Sequence, residues 1–412
     1  MLTLSREIGT GGEIKSEPED FIVKEITSKG IVLEPGRKYT VGELGENEVP
    51  DGKFTTFVLE KKNWETMRAV LEIAKRAGRG RKSVSYAGTK DKRSISAQLA
   101  CIFGIEPANL GAVRIKDISI NGAWRSNELE LGSNLGNAFV VNLKNAEHPD
   151  RIDAIIEELN GIFPNYFDRQ RFGYRLNNAK IGMQLLQDNP EGAAMAFLTD
   201  TANEEDEEAR EARKQLSEEL DFKKALEYFP RHLRYERTMI DYLARYDNFA
   251  NSIRKIPRGI AIMFIHAVEA LIFNEVLEKR TEGKDFDTNI YCKGNFYGFP
   301  DLSSVTKEKG TFPIGTMVGY ETKDEDIDGY GKDIMEKLGI SKDSFKIKSM
   351  PELSMKGAYR QLFSPFKDFT KSINENAICL GFSIPTGSYA TVFLNEITKS
   401  KGLEIKDIAP NF

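Results

Sequence analysis

The chain has 412 residues, 40% of them hydrophobic and 29% charged, with a formal net charge of -5. At about one to two hundred residues per domain this length gives two or three buried cores, and the composition excludes a disulfide mini-protein, a disordered chain and a collagen-like repeat. Net acidity also removes the simplest argument for a nucleic-acid partner, a globally basic surface, although net charge averages over patches.

In chain order, Ile14 to Ile26 and Phe54 to Lys61 concentrate β-forming residues between Gly, Pro and Asp, which predicts strands. Asn63 suits a helix N-cap, Met67, Val70, Leu71, Ala74 and Ala77 recur at helical spacing, and Gly78 supplies the stop. Strand character returns over Ser83 to Ala87, Ile95 to Phe103, Val113 to Ile120 and Ala138 to Leu143. A helix then starts near Asp150, with Ile152, Ile155, Ile156 and Leu159 on one face. This block predicts a mixed α/β (α+β) fold with a largely antiparallel sheet.

Composition shifts near Pro164. From Asn177 to Lys279 the pattern is helical, punctuated at Asn189-Pro190, Phe229-Pro230 and Ile256-Pro257. The acidic run Asn203 to Glu219 reads as a solvated helix face or a flexible arm. The apolar stretch Gly259 to Phe273 falls short of the ~20 residues a bilayer span needs and carries His266 and Glu269, so it predicts a buried core helix and no membrane association. The N-terminus has no secretory pattern, which leaves the cytoplasm as the default. Residues 283–331 are rich in Gly, Asp and Lys. Ala377 to Ile384 regains strand character, followed by a turn at Pro385-Thr386-Gly387 and an apolar helix from Ser388. The last block is more like the first than the middle, which predicts one discontinuous domain, residues 1–164 and 358–412, interrupted by a mixed α/β insertion over residues 165–357.

Cys101, Cys292 and Cys379 stand far apart with no CxxC, and His148, His232 and His266 are equally scattered. A disulfide framework, a zinc site and a histidine triad therefore lack support, and chemistry is expected to rest on carboxylates. Between Lys75 and Arg93 the local charge reverses: Lys75, Arg76, Arg79, Arg81, Lys82, Lys90, Lys92 and Arg93 face a single acid, Asp91. Gly78, Gly80 and Gly88 would let such a segment approach a phosphate chain, whereas a solvated basic turn balanced by Asp91 is the plainer alternative. An aspartate with three cations within two residues stays ionised, which suits a nucleophile or general base, and Gly88 permits the positive φ of a tight loop. Aromatic residues beside amides and glycines, in Gly136-Asn137-Ala138-Phe139, in Asn165 through Gly173 and in Gly387-Ser388-Tyr389, could stack a base while an amide reads its edge. With 25 phenylalanines in the chain, most are core.

Five segments, in order, resemble the TruD family of tRNA pseudouridine synthases. They are Ser16-Glu17-Pro18-Glu19-Asp20-Phe21-Ile22-Val23-Lys24-Glu25, Ala87-Gly88-Thr89-Lys90-Asp91-Lys92, Gly136-Asn137-Ala138-Phe139, Asn165-Tyr166-Phe167 through Gly173, and Pro385-Thr386-Gly387-Ser388-Tyr389-Ala390-Thr391. The long middle region is similar to archaeal and eukaryotic members. The resemblance implies a catalytic domain interrupted by a family-specific insertion, and conversion of uridine in tRNA to its C-glycoside isomer, typically at position 13 in the D arm. It implies no metal or other cofactor, because the isomerisation has no redox step. Asp91 matches the catalytic aspartate of the GTKDK-type motif. Asn137 and Phe139 match the GNxF motif, whose asparagine contacts the target base and whose phenylalanine stacks on it. Phe21 matches the PEDF phenylalanine, and Tyr389 stands where bacterial members often carry phenylalanine, keeping the face and adding a hydroxyl. Lys15 is a candidate ion-pair partner of Asp91. Arg79, Arg81, Lys82, Lys90, Lys92 and Arg93 are expected on the tRNA backbone, with Arg231, Arg234, Arg237, Arg254, Lys255 and Arg258 as a second basic face.

A monomer without an obligatory protein partner is the plainest expectation. Two other readings stay open: an RNA-binding or tRNA-folding module, and a glycosidase using Asp91 with a second acid such as Glu19 or Asp20.

Overall fold

The structure, a computed structural model, describes residues 1–283, 291–293, 311–374, 377–400 and 408. The first strand, β1 (Phe21–Ile26), is shorter than the predicted run from Ile14. Pro18–Asp20 forms a 3-10 turn in which the Asp20 carboxylate accepts the Glu17 N–H at 2.8 Å, and the turn ends strand geometry before Phe21. After β2 (Phe54–Lys62), helix α1 (Thr66–Arg76) starts later than predicted, because Asn63 adopts a left-handed φ of 56° and Glu65 takes the N-cap position. Gly78, at φ 73°, ends the helix as expected. β3 (Val84–Tyr86) and β4 (Ile95–Phe103) follow the predicted runs. The strand predicted at Val113 to Ile120 is displaced: after α2 (Pro107–Leu110), a turn at Asp117 leads into β5 (Ile118–Ser126). Val113 and Ile115 reach the core beneath α1 from the loop instead. β6 (Gly136–Lys144), α3 (Ile152–Leu159) and β7 (Ile162–Pro164) complete the opening block.

The middle contains α4 (Arg169–Phe172), α5 (Asn178–Leu186), α6 (Pro190–Thr199), α7 (Glu207–Glu219), α8 (Phe222–Tyr228), α9 (Arg234–Tyr246), α10 (Phe249–Ile253) and α11 (Arg258–Gly283). Asn189 caps α6, accepting the Gly192 N–H at 2.9 Å just ahead of its proline. Helix α11 carries the apolar stretch. By length and composition it could cross a membrane, yet 72% of its most apolar window is buried inside the protein. Its neighbour α5 approaches so closely that a β-carbon at Gly182 would lie 2.1 Å from the Phe264 carbonyl oxygen. The acidic run forms α7 with a wet outer face, but Glu204 turns inward to Arg213 at 3.1 Å, and Arg213 also reaches Glu236 at 2.7 Å. Beyond α11 come β8 (Tyr291–Lys293), β9 (Thr311–Met317), α12 (Gly329–Lys337) and β10 (Ala358–Gln361); much of the Gly-, Asp- and Lys-rich segment lies outside the described residues. The chain continues with β11 (Phe363–Pro365), β12 (Lys367–Asn374), β13 (Ala377–Pro385) and α13 (Ala390–Thr398).

One eight-stranded sheet runs β12-β13-β6-β1-β4-β2-β5, with β3 also on β4. Among the described strands its pairs are antiparallel, as expected, except β1 with β4. Strands from both ends of the chain therefore share one layer, β12 and β13 at one edge beside β6, and its apolar face packs on α3, α13 and part of α11. β7 pairs with β11, while β8, β9 and β10 form a separate small sheet. A second core gathers α5 to α12 around the other side of α11.

Substituting Gly182→Ala would force α5 away from α11 and is expected to destabilise the protein by roughly 1–3 kcal/mol. Denaturant unfolding monitored by circular dichroism checks this; an unchanged midpoint would mean that the helices separate at no cost.

Candidate active site

The parallel pair explains how Asp91 acquires its partners. β1 and β4 run side by side with Ile22 opposite Ile95, so the residues preceding each strand emerge at the same end of the sheet. Lys15 precedes β1, Asp91 precedes β4, and their side chains meet at 2.8 Å, Nζ to Oδ2. Lys15 has a φ of 60°, uncommon for a residue with a β-carbon, and its ammonium lies 4.1 Å from the centre of the Phe21 ring. Oδ1 of Asp91 accepts a hydrogen bond from Gln170 Nε2 of α4 at 2.8 Å. The Asp91 side chain is 24% exposed. Burial pushes its carboxyl upward, but the charge and hydrogen bond of Lys15, the Gln170 amide and the charge of Lys61 outweigh that and hold it below the ordinary aspartate value. The expected ionised state stands, but with different neighbours: the groups that hold it come from the segment before β1, from β2 and from α4, not from Lys90, Lys92 and Arg93.

Lys90 turns into the protein, where its Nζ lies 2.7 Å from Glu25 Oε2 with both side chains buried. Oε1 of Glu25 accepts the Leu99 N–H at 2.9 Å. The expectation that Lys90 contacts RNA is therefore corrected: an ammonium already neutralised in the interior cannot reach a phosphate. Thr66 Oγ1 accepts the Lys90 N–H at 2.9 Å, and Gln98 Nε2 donates to the Gly88 carbonyl at 2.8 Å. Lys61, fully buried, donates to the Asp91 carbonyl at 2.8 Å. Burial pushes its ammonium down to about 8, with Asp91 opposing. Gly88 does not take the positive φ foreseen for it; this buried network sets the path of the loop instead.

On the sheet, Phe21 packs edge-on against Phe139 at 5.7 Å, and Phe139 stacks on Phe382 of β13 at 5.1 Å. Phe21 is entirely buried, so it stands behind Phe139 and beneath Lys15 instead of forming a pocket wall. Asn137 shares a face of β6 with Phe139, opposite Glu25 and Ile384. Its Oδ1 is buried without a hydrogen-bond partner among the described residues, an unsatisfied acceptor. Tyr389, at the start of α13, lies edge-on to Phe167 at 6.3 Å. The preceding turn uses Gly387 at φ 83° and is tied to the entry of β6 by the Thr386 N–H, which donates to the Leu135 carbonyl at 3.0 Å. Residues 165–173 bridge the halves: Phe167 meets Tyr389, Asp168 accepts from the Thr391 hydroxyl, and Gln170 reaches Asp91. The structure thus gathers Lys15, Phe21, Asp91, Asn137 and Phe139 on the sheet, and Tyr389 joins them through Phe167.

Arg79, Arg81, Lys82, Lys92 and Arg93 are exposed around the loop, with Arg79 also donating to the Gly104 carbonyl and Arg93 to the Ser16 carbonyl. In the second basic group, Arg254 pairs with Glu352 at 2.6 Å and Arg258 donates to the Glu352 carbonyl at 2.9 Å, so both are engaged within the protein. The acids weighed as glycosidase partners are also occupied, Glu19 by Lys62 and Asp20 by Lys144 at 2.8 Å. Gln170, Lys61 and Glu25 were not foreseen. Lys61 had a signal: the inward positions of β2 run Phe57, Leu59, Lys61, a charge where alternation calls for an apolar side chain.

The family described as tRNA pseudouridine synthase D (TruD) matches residues 2–397. A Thermococcus sibiricus protein named "Probable tRNA pseudouridine synthase D" is 32% identical, covering 96% of this chain and 97% of its own. A Methanococcus maripaludis protein named "Probable tRNA pseudouridine synthase D 2" is 33% identical, covering 94% and 95%. A crystal structure of the Methanosarcina mazei protein named "Putative tRNA pseudouridine synthase D (TruD)" aligns over 97% of this chain and 96% of its own with a TM-score of 0.73 at 29% identity.

Replacing Lys15 with Met leaves Asp91 in its buried setting without its principal cation. The Asp91 carboxyl titration, followed by carbon NMR, is expected to move upward relative to the wild type. An unchanged or lower midpoint would show that Lys15 does not hold the charge.

Proposed function

Because the chain belongs to the TruD family, we propose that it isomerises uridine to pseudouridine in tRNA, at position 13 of the D arm, with Asp91 as the catalytic carboxylate. The reading is carried by one arrangement: a carboxylate kept ionised by Lys15 and Gln170, on the same side of the sheet as the Phe139 ring and the unpartnered amide oxygen of Asn137. The reaction breaks N1–C1′, turns the uracil and joins C5 to C1′. Asp91 can act on the sugar by attacking C1′ or by taking the 2′ proton, and either role needs the charged form that Lys15 maintains. The detached base would stay on Phe139, with Asn137 Oδ1 accepting its imide N–H and Tyr389 closing from α13. Water must be kept out while the base is free, since hydrolysis would leave an abasic site. The exposed Arg79, Arg81, Lys82, Lys92 and Arg93 are read as contacts to the tRNA backbone.

The same reading takes residues 1–164 and 358–412 as the catalytic domain and the segment between as an insertion, acting as a monomer in the cytoplasm. Pairing of β6 with β13 and the separate core around α5 to α12 support that division. Because β10 pairs with β9, the return to the catalytic domain is better drawn at Phe363 than at residue 358.

Incubation of the purified protein with an unmodified tRNA transcript, mapped by carbodiimide-dependent primer-extension stops, is expected to give a new stop at position 13. Asp91→Asn should slow the conversion at least about 10³-fold. Salt-sensitive binding by both proteins with conversion by neither would replace this reading with an RNA-binding module.

A further inference from the structure

Beside the Asp91 pocket, two arginines share one aromatic ring. The guanidinium of Arg360, on β10, lies 4.0 Å from the centre of the Phe167 ring, and that of Arg171, on α4, lies 4.9 Å from it. Arg360 is fixed in place: its Nη2 donates to Asn165 Oδ1 at 2.7 Å and its Nε to the Asn165 carbonyl at 3.2 Å. Its remaining nitrogen, Nη1, has no acceptor among the described residues and lies near the Gly387 turn, 3.9 Å from where a β-carbon of that residue would be. Tyr389 is the next ring along, 6.0 Å from the Arg360 guanidinium. Arg171 is half-buried and its side chain donates no hydrogen bond among the described residues.

No carboxylate pairs with either arginine among the described residues, although nearby cations of the site are matched, Lys15 by Asp91 and Lys90 by Glu25. Burial and the neighbouring charge of Arg171 lower the Arg360 guanidinium to about 10, against the attraction of Tyr389. Two like charges sharing one ring without a counter-ion repel each other, and an anion within reach of both would offset the repulsion. Planar guanidiniums with free N–H groups match the tetrahedral oxygens of a phosphodiester. The position is also right for the substrate: Gln170, which touches Asp91, is the residue beside Arg171 on α4.

We propose that Arg171 and Arg360 form a phosphate clamp that grips a backbone phosphodiester of the target nucleotide while its sugar lies at Asp91 and its base at Phe139. This inference rests on the uridine reading above and adds to it the group by which the nucleotide is held. Phe167 is the platform that spaces the two guanidiniums, and Asn165 sets the orientation of one of them.

A binding cycle tests it. Conversion by the wild-type chain first identifies the modified uridine. Transcripts are then assembled with a neutral methylphosphonate at one linkage flanking that uridine, 5′ or 3′, the adjoining 2′-hydroxyl being removed in both test and control RNAs. Affinities are measured in the Asp91→Asn background, with and without Arg171→Gln or Arg360→Gln. The clamp predicts that neutralising one of the two linkages weakens binding roughly 10-fold, that each arginine variant loses about as much on the all-phosphate RNA, and that the two losses do not add. Additive losses, or no loss at either linkage, would overturn the clamp while leaving the isomerisation intact. Absence of any conversion would overturn the uridine reading and the nucleotide assignment with it. Arg360→Gln also removes bonds to Asn165, so its thermal midpoint is compared with the parent; Arg171→Gln breaks no hydrogen bond, and the neutral linkage changes no protein atom.

Discussion

The buried ion pair between Glu25 and Lys90 is the contact on which the site's geometry depends. At 2.7 Å, with both side chains out of water, it fastens the loop carrying Asp91 to the central strand β1. Such pairs add little net stability over an apolar packing, yet losing one partner leaves an uncompensated charge and typically costs about 3–5 kcal/mol. The pair therefore acts less as glue than as a locator. With Lys90 drawn down to Glu25, the next residue, Asp91, is turned up towards Lys15 and Gln170. The carbonyl groups of the same loop are taken by Lys61 and Gln98, which leaves the carboxylate as the group it offers outward.

The surroundings divide the tasks of charge and shape. Charge is handled at the end of the sheet where β1 and β4 begin, by Lys15, Asp91 and Lys61. Shape is supplied by the stack Phe21, Phe139, Phe382, which continues into the core through Phe393. The two meet at Lys15, whose ammonium rests on Phe21 while it pairs with Asp91. A ring with no exposed surface thereby influences the Asp91 carboxylate, through the orientation of the lysine above it. The middle of the chain contributes as well: Gln170 belongs to the run that leads into the helices, so the carboxylate is gripped from both parts of the molecule.

Much of this was legible in the sequence. The strands at Phe54, Ile95 and Ala377 and the buried nature of the apolar stretch in α11 follow from alternation and length, signals that survive folding because each is written in consecutive residues. Asp91, Asn137, Phe139 and Tyr389 stood out through the segments that carry them. What could not be read was pairing across the fold. Lys90 has the look of a surface cation, and only the parallel register of β1 with β4 brings Glu25 to it. Lys15 reaches Asp91 for the same topological reason, but that pairing was expected from the segment beside Phe21 and is found at 2.8 Å. The displaced strand at Val113 shows the converse error: an apolar run was taken for a strand, whereas its side chains fill the core from a loop and β2 chooses its partner further along, at Ile118–Ser126. Gln170 and Arg360 are ordinary polar residues until a distant partner gives each a purpose.

The order of strands in the large sheet also has a consequence for synthesis. β6 lies between β1 and β13, and β13 is made last of the three, after the whole helical middle. A nascent chain still on the ribosome can therefore assemble Asp91, Lys15 and Phe139 on β1, β4 and β6 long before Phe382 and Tyr389 exist. Until they arrive, β6 is an open edge with its Asn137 and Phe139 side of the sheet uncovered, the kind of edge that recruits foreign strands. The half-made sheet is thus at its most vulnerable while α5 to α11 are being translated. Closure by β13 removes that edge and, in the same step, brings in the last aromatic residue of the site.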